Sequence, residues 1–266
     1  MVSSITPPPL YGPQIILFTL PHLVFSEYRS RSWNGVVLFK MLSSISFLIE
    51  PLLSLSSESS SYHVAITTGL AFSLVGDYLL LPSREAFSNP RPATKEKQIS
   101  TSFQAGILAF AIAHVAYIAA FIRKPETDAV SYPALTTTFV ATMILAKWLG
   151  VIYPPSTPHL LTWENILGLS ISNDMKPLVL GYTMIISTML GVAVATSTAP
   201  VGGWVSQRVV GALMFVASDV FVAKDAFGRG IGVHERGWVG IGVGYGLYFS
   251  GQMVLAGMGG GEGHLN

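Results

Sequence analysis

The sequence predicts an all-α membrane protein, a polytopic bundle of about eight transmembrane helices. Half of its 266 residues are hydrophobic and only 11% are charged, whereas a soluble domain carries about 25% charged residues. Several apolar stretches reach about 20 residues, which is the length that a helix needs to cross a bilayer. A chain of this size could not cover so many long apolar helices, so a soluble helical protein is the less favoured alternative.

Eight segments account for these helices. In chain order they are residues 11–26, 34–55, 62–82, 103–122, 132–153, 176–197, 207–224 and 237–257. The first is the weakest, because it is short and contains Pro21. A short interfacial helix is expected around residues 160–169, with Trp163 at the headgroup level. We expect one membrane-embedded domain over residues 1–266, with a disordered tail at about 258–266.

Charge and cysteine content exclude several kinds of function. The net charge of +1 provides no basic surface for nucleic acid. The chain has no cysteine, which rules out disulfides, thiol catalysis and cysteine-based metal sites. Its six histidines form neither an HxxxH nor an HExxH pattern. We therefore predict no metal site, while the oligomeric state stays open.

Two aspartates lie inside segments that otherwise suit lipid, Asp77 in the third and Asp219 in the seventh. A carboxylate at membrane depth costs roughly 2.5–3.5 kcal/mol on insertion scales, so it is rare without a role. Each ends a stripe with the spacing i, i+4, i+7 and i+8, formed by Gly69, Ser73, Gly76 and Asp77, and by Gly211, Phe215, Ser218 and Asp219. Because small residues on a stripe let another helix approach, both aspartates should face the bundle interior. For Asp77 the alternative is a structural carboxylate paired with a lysine or a hydroxyl.

Further polar side chains share helical faces in other segments. His114 and Tyr117 are one turn apart in the fourth segment, although a lone buried histidine is more often a packing residue. Lys40 lies well inside the second segment and needs a carboxylate partner, for which Asp77 and Asp219 are the candidates. The remaining candidates are Tyr182 in the sixth segment and Tyr248 and Gln252 on one face of the eighth.

A combination of motifs in a fixed order resembles a known family. The motifs are Lys40 with Leu42 and Ser43, then LVGDYLLL, FQAGILAFAIAHVAYIAAF, YTMIISTML, VVGALMFVASDVFVAKDAF and YFSGQMVLA. In this order, from about residue 34 to residue 257, they resemble the YhhN family of membrane proteins, whose animal members include lysoplasmalogenases. The chain departs from the family at Met41, where a proline usually follows the lysine, and in two longer loops.

The resemblance implies an enzyme that hydrolyses the vinyl ether bond of lysoplasmalogens. Its products would be a fatty aldehyde and a glycerophosphoethanolamine or glycerophosphocholine. A vinyl ether hydrolyses by proton transfer to carbon, followed by capture of the oxocarbenium ion by water. A carboxylic acid in an apolar site can supply that proton, and a second carboxylate can stabilise the cation and deprotonate the water. This chemistry needs no metal or cofactor.

The resemblance also assigns roles to the candidate residues. Asp77 and Asp219 would divide the acid and base roles, in an order that the sequence leaves open. His114 and Tyr117 would orient water or the enol ether oxygen. Lys40 would set the protonation state of one aspartate or hold the lipid phosphate. The supporting hydrogen-bonding groups would be Ser218, Tyr182, Tyr248 and Gln252. The expected partners are a lysophospholipid substrate and membrane lipids, and the endoplasmic reticulum is the expected location.

Two other functions remain compatible with the sequence. In a proton-coupled transporter, the intramembrane Asp, His and Lys residues would form a proton relay or a substrate site. Such a protein would need an open path to both faces of the membrane, and it often shows inverted repeats, of which we find none. A non-catalytic lipid-binding protein descended from the enzyme is the second alternative.

Overall fold

The computed structural model describes residues 8–9, 11–56, 59–88, 99–123, 130–154, 165–197, 206–228 and 237–258. Nine helices lie in these residues. They are α1 (Gly12–Tyr28), α2 (Trp33–Leu53), α3 (Ser61–Leu79), α4 (Arg84–Ser88), α5 (Thr101–Arg123), α6 (Tyr132–Leu149), α7 (Lys176–Ala195), α8 (Gln207–Phe227) and α9 (Trp238–Gly257). The all-helical prediction is confirmed for the described residues, in which β-pairing is seen as an isolated bridge between Leu169 and Gly228.

The eight long helices occupy the eight predicted segments, and the short α4 follows α3. The largest difference at a helix end is at α6, which stops at Leu149 although the apolar pattern continues to residue 153. Gly150 explains this end, because it adopts a left-handed conformation with φ of 87° that glycine accommodates without strain. Two other helices begin at serine caps, where Ser32 accepts a hydrogen bond from the Gly35 amide and Ser60 accepts one from the His63 amide.

Four helices are long and apolar enough to cross a membrane by length and composition. They are α2, α5, α7 and α9. The other four long helices are shorter or more polar: α1 has 17 residues, and α8 carries Arg208, Asp219, Lys224 and Asp225. The structure is thus consistent with a helical membrane bundle.

Consecutive long helices run in alternate directions. We call the end of the bundle where α1, α3, α6 and α8 finish the mouth end, and the opposite end the far end. Hydrogen bonds between neighbouring segments stabilise the mouth end. The Trp33 indole donates to the Pro82 carbonyl at 2.9 Å, and Ser170 N–H donates to the Phe227 carbonyl at 2.7 Å. At the far end, the Tyr62 hydroxyl donates to the Met258 carbonyl at 3.1 Å.

Seven of the long helices form a closed ring of neighbours. In order around the ring they are α1, α2, α3, α5, α7, α8 and α9, which returns to α1. Helix α9 also contacts α2 and α3, while α6 packs against α7. The ring places the predicted aspartate stripes of α3 and α8 on opposite sides of one interior, with α9 next to both.

Small residues bring α3 and α5 into close contact, as the stripe on α3 predicts. A Cβ atom added at Gly69 would come within 2.3 Å of the Tyr117 ring, and one added at Gly76 would come within 2.6 Å of the Phe110 ring. On α8, a Cβ at Gly211 would meet Leu255 of α9 at 2.7 Å. These glycines therefore allow the aromatic rings of α5 and a leucine of α9 to pack directly onto neighbouring backbones.

We expect the Gly69→Ala variant to be destabilised by about 1–3 kcal/mol, because the added methyl group displaces the fully buried Tyr117 ring. Gly181→Ala is the matched control, since nothing lies within 4 Å of a Cβ at that exposed site of α7. Thermal unfolding of both variants in detergent would measure the effect. Equal melting temperatures for the two variants would contradict the packing role of Gly69.

Two predictions fall wholly or partly outside the described residues. Residues 259–266 of the expected disordered tail lie outside them, as do residues 155–164 and with them Trp163 of the expected interfacial helix. Residues 165–169 are described and form a turn and a bridge, not a helix. The prediction of an interfacial helix is therefore wrong for residues 165–169. Asn165 explains the turn, because its side chain donates to the Leu169 carbonyl and accepts from the Leu169 amide.

Candidate functional site

A large cavity occupies the mouth-end half of the bundle. Its volume is about 1430 Å³, and both Asp77 and Asp219 lie on its wall. All eight long helices contribute to its wall, α1 through Glu27 alone. The other lining residues lie within 33–40 of α2, 77–79 of α3, 101–110 of α5, 142–149 of α6, 179–187 of α7, 216–227 of α8 and 240–248 of α9. Exposed residues at the mouth end, such as Ser83 and Ser102, also line it. The cavity is thus open at the mouth end, and its wall contains no described residue from the far end.

Asp77 lies at the centre of a hydrogen-bonded cluster between α2, α3 and α9. Its carboxylate accepts hydrogen bonds from the Ser44 hydroxyl at 2.7 Å and from the Tyr248 hydroxyl at 2.6 Å. The Lys40 ammonium lies 3.5 Å from the other carboxylate oxygen and donates to the Asp77 carbonyl at 3.1 Å. Only 2% of Asp77 and 7% of Lys40 is exposed. Of its two predicted partners, Lys40 therefore pairs with Asp77.

Asp219 belongs to a separate cluster between α5, α7 and α8. Its carboxylate accepts a hydrogen bond of 2.6 Å from the Tyr182 hydroxyl. The same hydroxyl lies 3.0 Å from Nε2 of His114. Tyr182 and Asp219 are half-buried on the cavity wall, whereas His114 is fully buried behind it. The two carboxylates therefore share a cavity and have different partners.

Phe215 connects the two clusters through its ring. Its centroid lies 4.5 Å from that of His114 and 5.4 Å from that of Tyr248, and both contacts are edge-to-face. Such aromatic contacts are favourable and fix ring orientation. Phe215 thereby packs against His114 of the Asp219 cluster and against Tyr248, a donor to Asp77, which positions both clusters relative to each other.

A third group of polar residues lies behind the cavity wall. The Tyr117 hydroxyl donates to Oε1 of Gln252 at 2.8 Å and lies 3.2 Å from the Ser73 hydroxyl. All three side chains are fully buried. Two buried atoms in this region, Nδ1 of His114 and Nε2 of Gln252, have no hydrogen-bond partner among the described residues.

The structure separates the predicted site residues into two sets. Those on the cavity wall are Lys40, Asp77, Tyr182, Ser218, Asp219 and Tyr248, whereas His114, Tyr117 and Gln252 stand behind it. Ser218 turns its hydroxyl to the Phe215 carbonyl of its own helix at 2.7 Å. The residues behind the wall contact the wall residues, so among these side chains only the wall residues can touch a ligand in the cavity.

Three residues of the site are not among the candidates that the sequence predicts. Ser44, a direct donor to Asp77, was detectable by its position one turn after Lys40. Glu27 is buried and accepts a hydrogen bond of 2.9 Å from the Tyr245 hydroxyl, but it lies beyond the end of the first predicted segment. Ser187 lines the cavity with a buried hydroxyl that has no partner among the described residues. No sequence signal distinguishes Ser187 from the other serines of apolar helices.

The arrangement suits acid–base chemistry on a ligand with a long apolar part. Asp77 and Asp219 are among the acidic residues of a cavity whose wall is mostly apolar, and each of these two carboxylates has a phenol within hydrogen-bond distance. Among the described residues, no group of three His, Asp or Glu side chains is placed to hold a metal ion. The chemistry available from these side chains is therefore proton transfer and electrostatic stabilisation.

Comparison with known proteins identifies the family of the chain. No curated protein and no solved structure matches the chain. The sequence model of the YhhN family matches residues 35–258, a range that contains both aspartate clusters, nearly all of α2 and all of helices α3 to α9. Together with four apolar helices of membrane-spanning length, this match indicates a membrane protein. Because the matched range covers most of the sequence, the chain belongs to the YhhN family.

Proposed function

We propose that this protein is an integral membrane hydrolase that cleaves the vinyl ether bond of lysoplasmalogen-like lipids. The observation that carries the proposal is the position of Asp77 and Asp219 on the wall of one cavity of about 1430 Å³. All eight long helices cross the membrane in this proposal. The products are a fatty aldehyde and a glycerophosphoethanolamine or glycerophosphocholine.

The reaction proceeds in three steps. The general acid transfers its proton to the vinyl carbon remote from the ether oxygen, and the resulting cation is shared between the adjacent carbon and that oxygen. A water molecule then adds to the cationic carbon and loses a proton to the general base, which gives a hemiacetal. Finally, the hydroxyl proton of the hemiacetal is transferred to the glycerol oxygen as the carbon–oxygen bond to glycerol breaks and the aldehyde forms. Each turnover consumes one water molecule and leaves one proton on the base and none on the acid, so both groups exchange a proton with solvent before the next turnover.

The surroundings of the two aspartates support an assignment of roles. An ammonium group and two hydroxyl donors converge on Asp77, an environment that suits a carboxylate. Among the described residues, Asp219 receives one hydroxyl hydrogen bond and no contact from a lysine or arginine. We therefore assign Asp219 as the acid and Asp77 as the base that also stabilises the cation. Lys40 and Tyr248 hold Asp77 in place.

The shape of the cavity argues against an open channel through the described residues. A channel requires a pathway that reaches both faces of the membrane at the same time. The described wall residues all lie in the mouth-end half, while the far-end half is filled by buried side chains such as Phe121, Phe249 and Leu255. A cavity with one open end suits a lipid that enters and leaves by the same route.

An assay with a matched pair of lipids tests the proposal. Purified protein is incubated with a lysoplasmalogen and with the 1-acyl lysolipid of the same headgroup and chain length, and fatty aldehyde and fatty acid are both measured. We expect aldehyde from the vinyl ether and no fatty acid from the ester. Folded protein that turns over neither lipid would contradict the proposal. In that event, proton-coupled flux in liposomes would identify a transporter, and lipid binding without flux a non-catalytic protein.

A further inference from the structure

Asp219 is the first member of a line of three hydrogen-bonded side chains that leads away from the cavity. Its carboxylate is 2.6 Å from the Tyr182 hydroxyl, which is 3.0 Å from Nε2 of His114. Asp219 and Tyr182 lie on the cavity wall, and His114 lies behind it with no exposed surface. The line therefore joins the Asp219 carboxylate, which faces the cavity, to the His114 imidazole, which a ligand in the cavity cannot touch.

The contacts of His114 leave one ring nitrogen uncommitted. Around the ring are Phe215 of α8, with centroids 4.5 Å apart, Tyr117 of the same helix at 6.3 Å and Tyr182 of α7 at 5.5 Å. None of these is a lysine, arginine, aspartate or glutamate. Nδ1 has no hydrogen-bond partner among the described residues, although a buried polar atom without a partner costs about 1–3 kcal/mol. An unsatisfied atom of this kind at the end of a hydrogen-bonded line calls for a functional explanation.

The direction of the hydrogen bonds follows from the number of protons. While Asp219 is ionised, the one hydroxyl proton of Tyr182 is donated to its carboxylate. The Tyr182 oxygen can then only accept from His114, so Nε2 carries the imidazole proton and Nδ1 is bare. In this arrangement Nδ1 is the atom of His114 that has a free lone pair, so it can take up a proton at the end of the line away from the cavity.

We propose that Tyr182 and His114 form a proton relay that recharges Asp219 from behind the cavity wall. The proposal rests on the proposed function, in which Asp219 gives its proton to carbon. Nδ1 of His114 takes up a proton from water, the Nε2 proton moves to the Tyr182 oxygen, and the Tyr182 hydroxyl proton moves to the Asp219 carboxylate. One N–H and two O–H bonds form, while one bond to hydrogen breaks in the water-derived donor, one at Nε2 and one at Tyr182. No further reactant is needed, because water addition to the cation releases one proton in each turnover.

A relay from behind the wall gives Asp219 a route to protons that does not pass through the occupied cavity. A lipid in the cavity separates Asp219 from bulk water on the mouth side, while the one water molecule that adds to the cation lies beside Asp77, the base. The acid must nevertheless regain its proton before the next turnover. His114 and Tyr182 are positioning residues for this exchange, since the relay acts through Asp219 and His114 does not contact the substrate.

The kinetic test separates the first turnover from those that follow. His114→Gln keeps an N–H that can donate to Tyr182 but cannot pass a proton on. We expect this variant to release one aldehyde per protein at the wild-type rate and then to turn over about tenfold or more slowly. Wild type should show no such burst. Tyr182→Phe should show the same burst and slow phase, which keeps the test decisive if His114→Gln does not fold. His63→Gln, at a buried histidine that contacts Ser54 near the far end, is the matched control and should behave as wild type.

A test without catalysis separates failure of the relay from failure of the proposed function. In protein labelled with ¹⁵N-histidine, we expect His114 to carry its proton on Nε2 at high pH. As pH falls and Asp219 gains a proton, the His114 proton should move to Nδ1. In Tyr182→Phe this change of tautomer should no longer follow Asp219. The tautomer change without aldehyde release would retain the relay and reject the hydrolase. Equal slowing of the first and later turnovers in both variants, or a His114 tautomer that ignores Asp219, would overturn the relay.

Discussion

We expect Asp219→Asn to lower aldehyde release from a lysoplasmalogen by about 10²–10⁴-fold, the usual contribution of one general acid or base. The asparagine amide has nearly the shape of the carboxyl group and can still accept the hydrogen bond that Tyr182 donates to Asp219. It has no acidic proton to transfer to carbon. The loss should therefore be in the chemical step, with little change in lipid binding or thermal stability.

Asp77→Asn should cause a loss of similar size for a different reason. The amide cannot accept the proton of the attacking water or balance the positive charge on carbon, although Ser44 and Tyr248 can still donate to it. Asp174→Asn is the matched control, because Asp174 is exposed in the connection before α7. Single-turnover aldehyde release and lipid binding would be measured for all three variants. Wild-type rates in Asp77→Asn or in Asp219→Asn would refute the two-aspartate mechanism.

The second large effect concerns the ion pair between Lys40 and Asp77. We expect Lys40→Met to destabilise the protein by about 3–5 kcal/mol, because it leaves a buried carboxylate without its cation. Activity should fall as well, since Lys40 also donates to the Asp77 carbonyl and so fixes the position of this residue. Thermal unfolding in detergent would measure the loss of stability.

A double variant identifies the cause of this loss. Lys40→Met combined with Asp77→Asn removes both charges and should recover most of the stability, without recovering activity. Lys147→Met is the control, because Lys147 is exposed at the end of α6 and donates to the Tyr153 carbonyl. If the double variant is less stable than Lys40→Met alone, then the charge of Asp77 is not what destabilises the single variant.

The helices were predictable because each one is encoded locally. Apolar segments, serine caps and Gly150 mark where helices begin and end, and α4, with five residues, is too short to produce a pattern. The stripes on α3 and α8 also predicted that Asp77 and Asp219 face the interior. This worked because helical periodicity fixes which residues share a face.

The partners of the aspartates were not predictable in the same way. Lys40 could have paired with either carboxylate, and nothing in the sequence links Tyr182 to Asp219 or Tyr248 to Asp77. His114 and Tyr117 share a face with the site, and the structure puts both of them one layer behind the cavity wall. Periodicity gives the direction of a side chain from its own helix axis, but not its depth or its neighbour on another helix.

The sequence alone determined that the chain is a set of apolar helices in which Asp77, Asp219 and Lys40 face the interior, because composition and periodicity are properties of single segments. Only the tertiary structure decided that Lys40 and two hydroxyl groups contact Asp77. It also decided that a tyrosine donates to Asp219 and that a histidine contacts that tyrosine. Those pairings depend on the order of helices around the ring and on glycines that set the distances between them, and both are fixed only when the helices pack together.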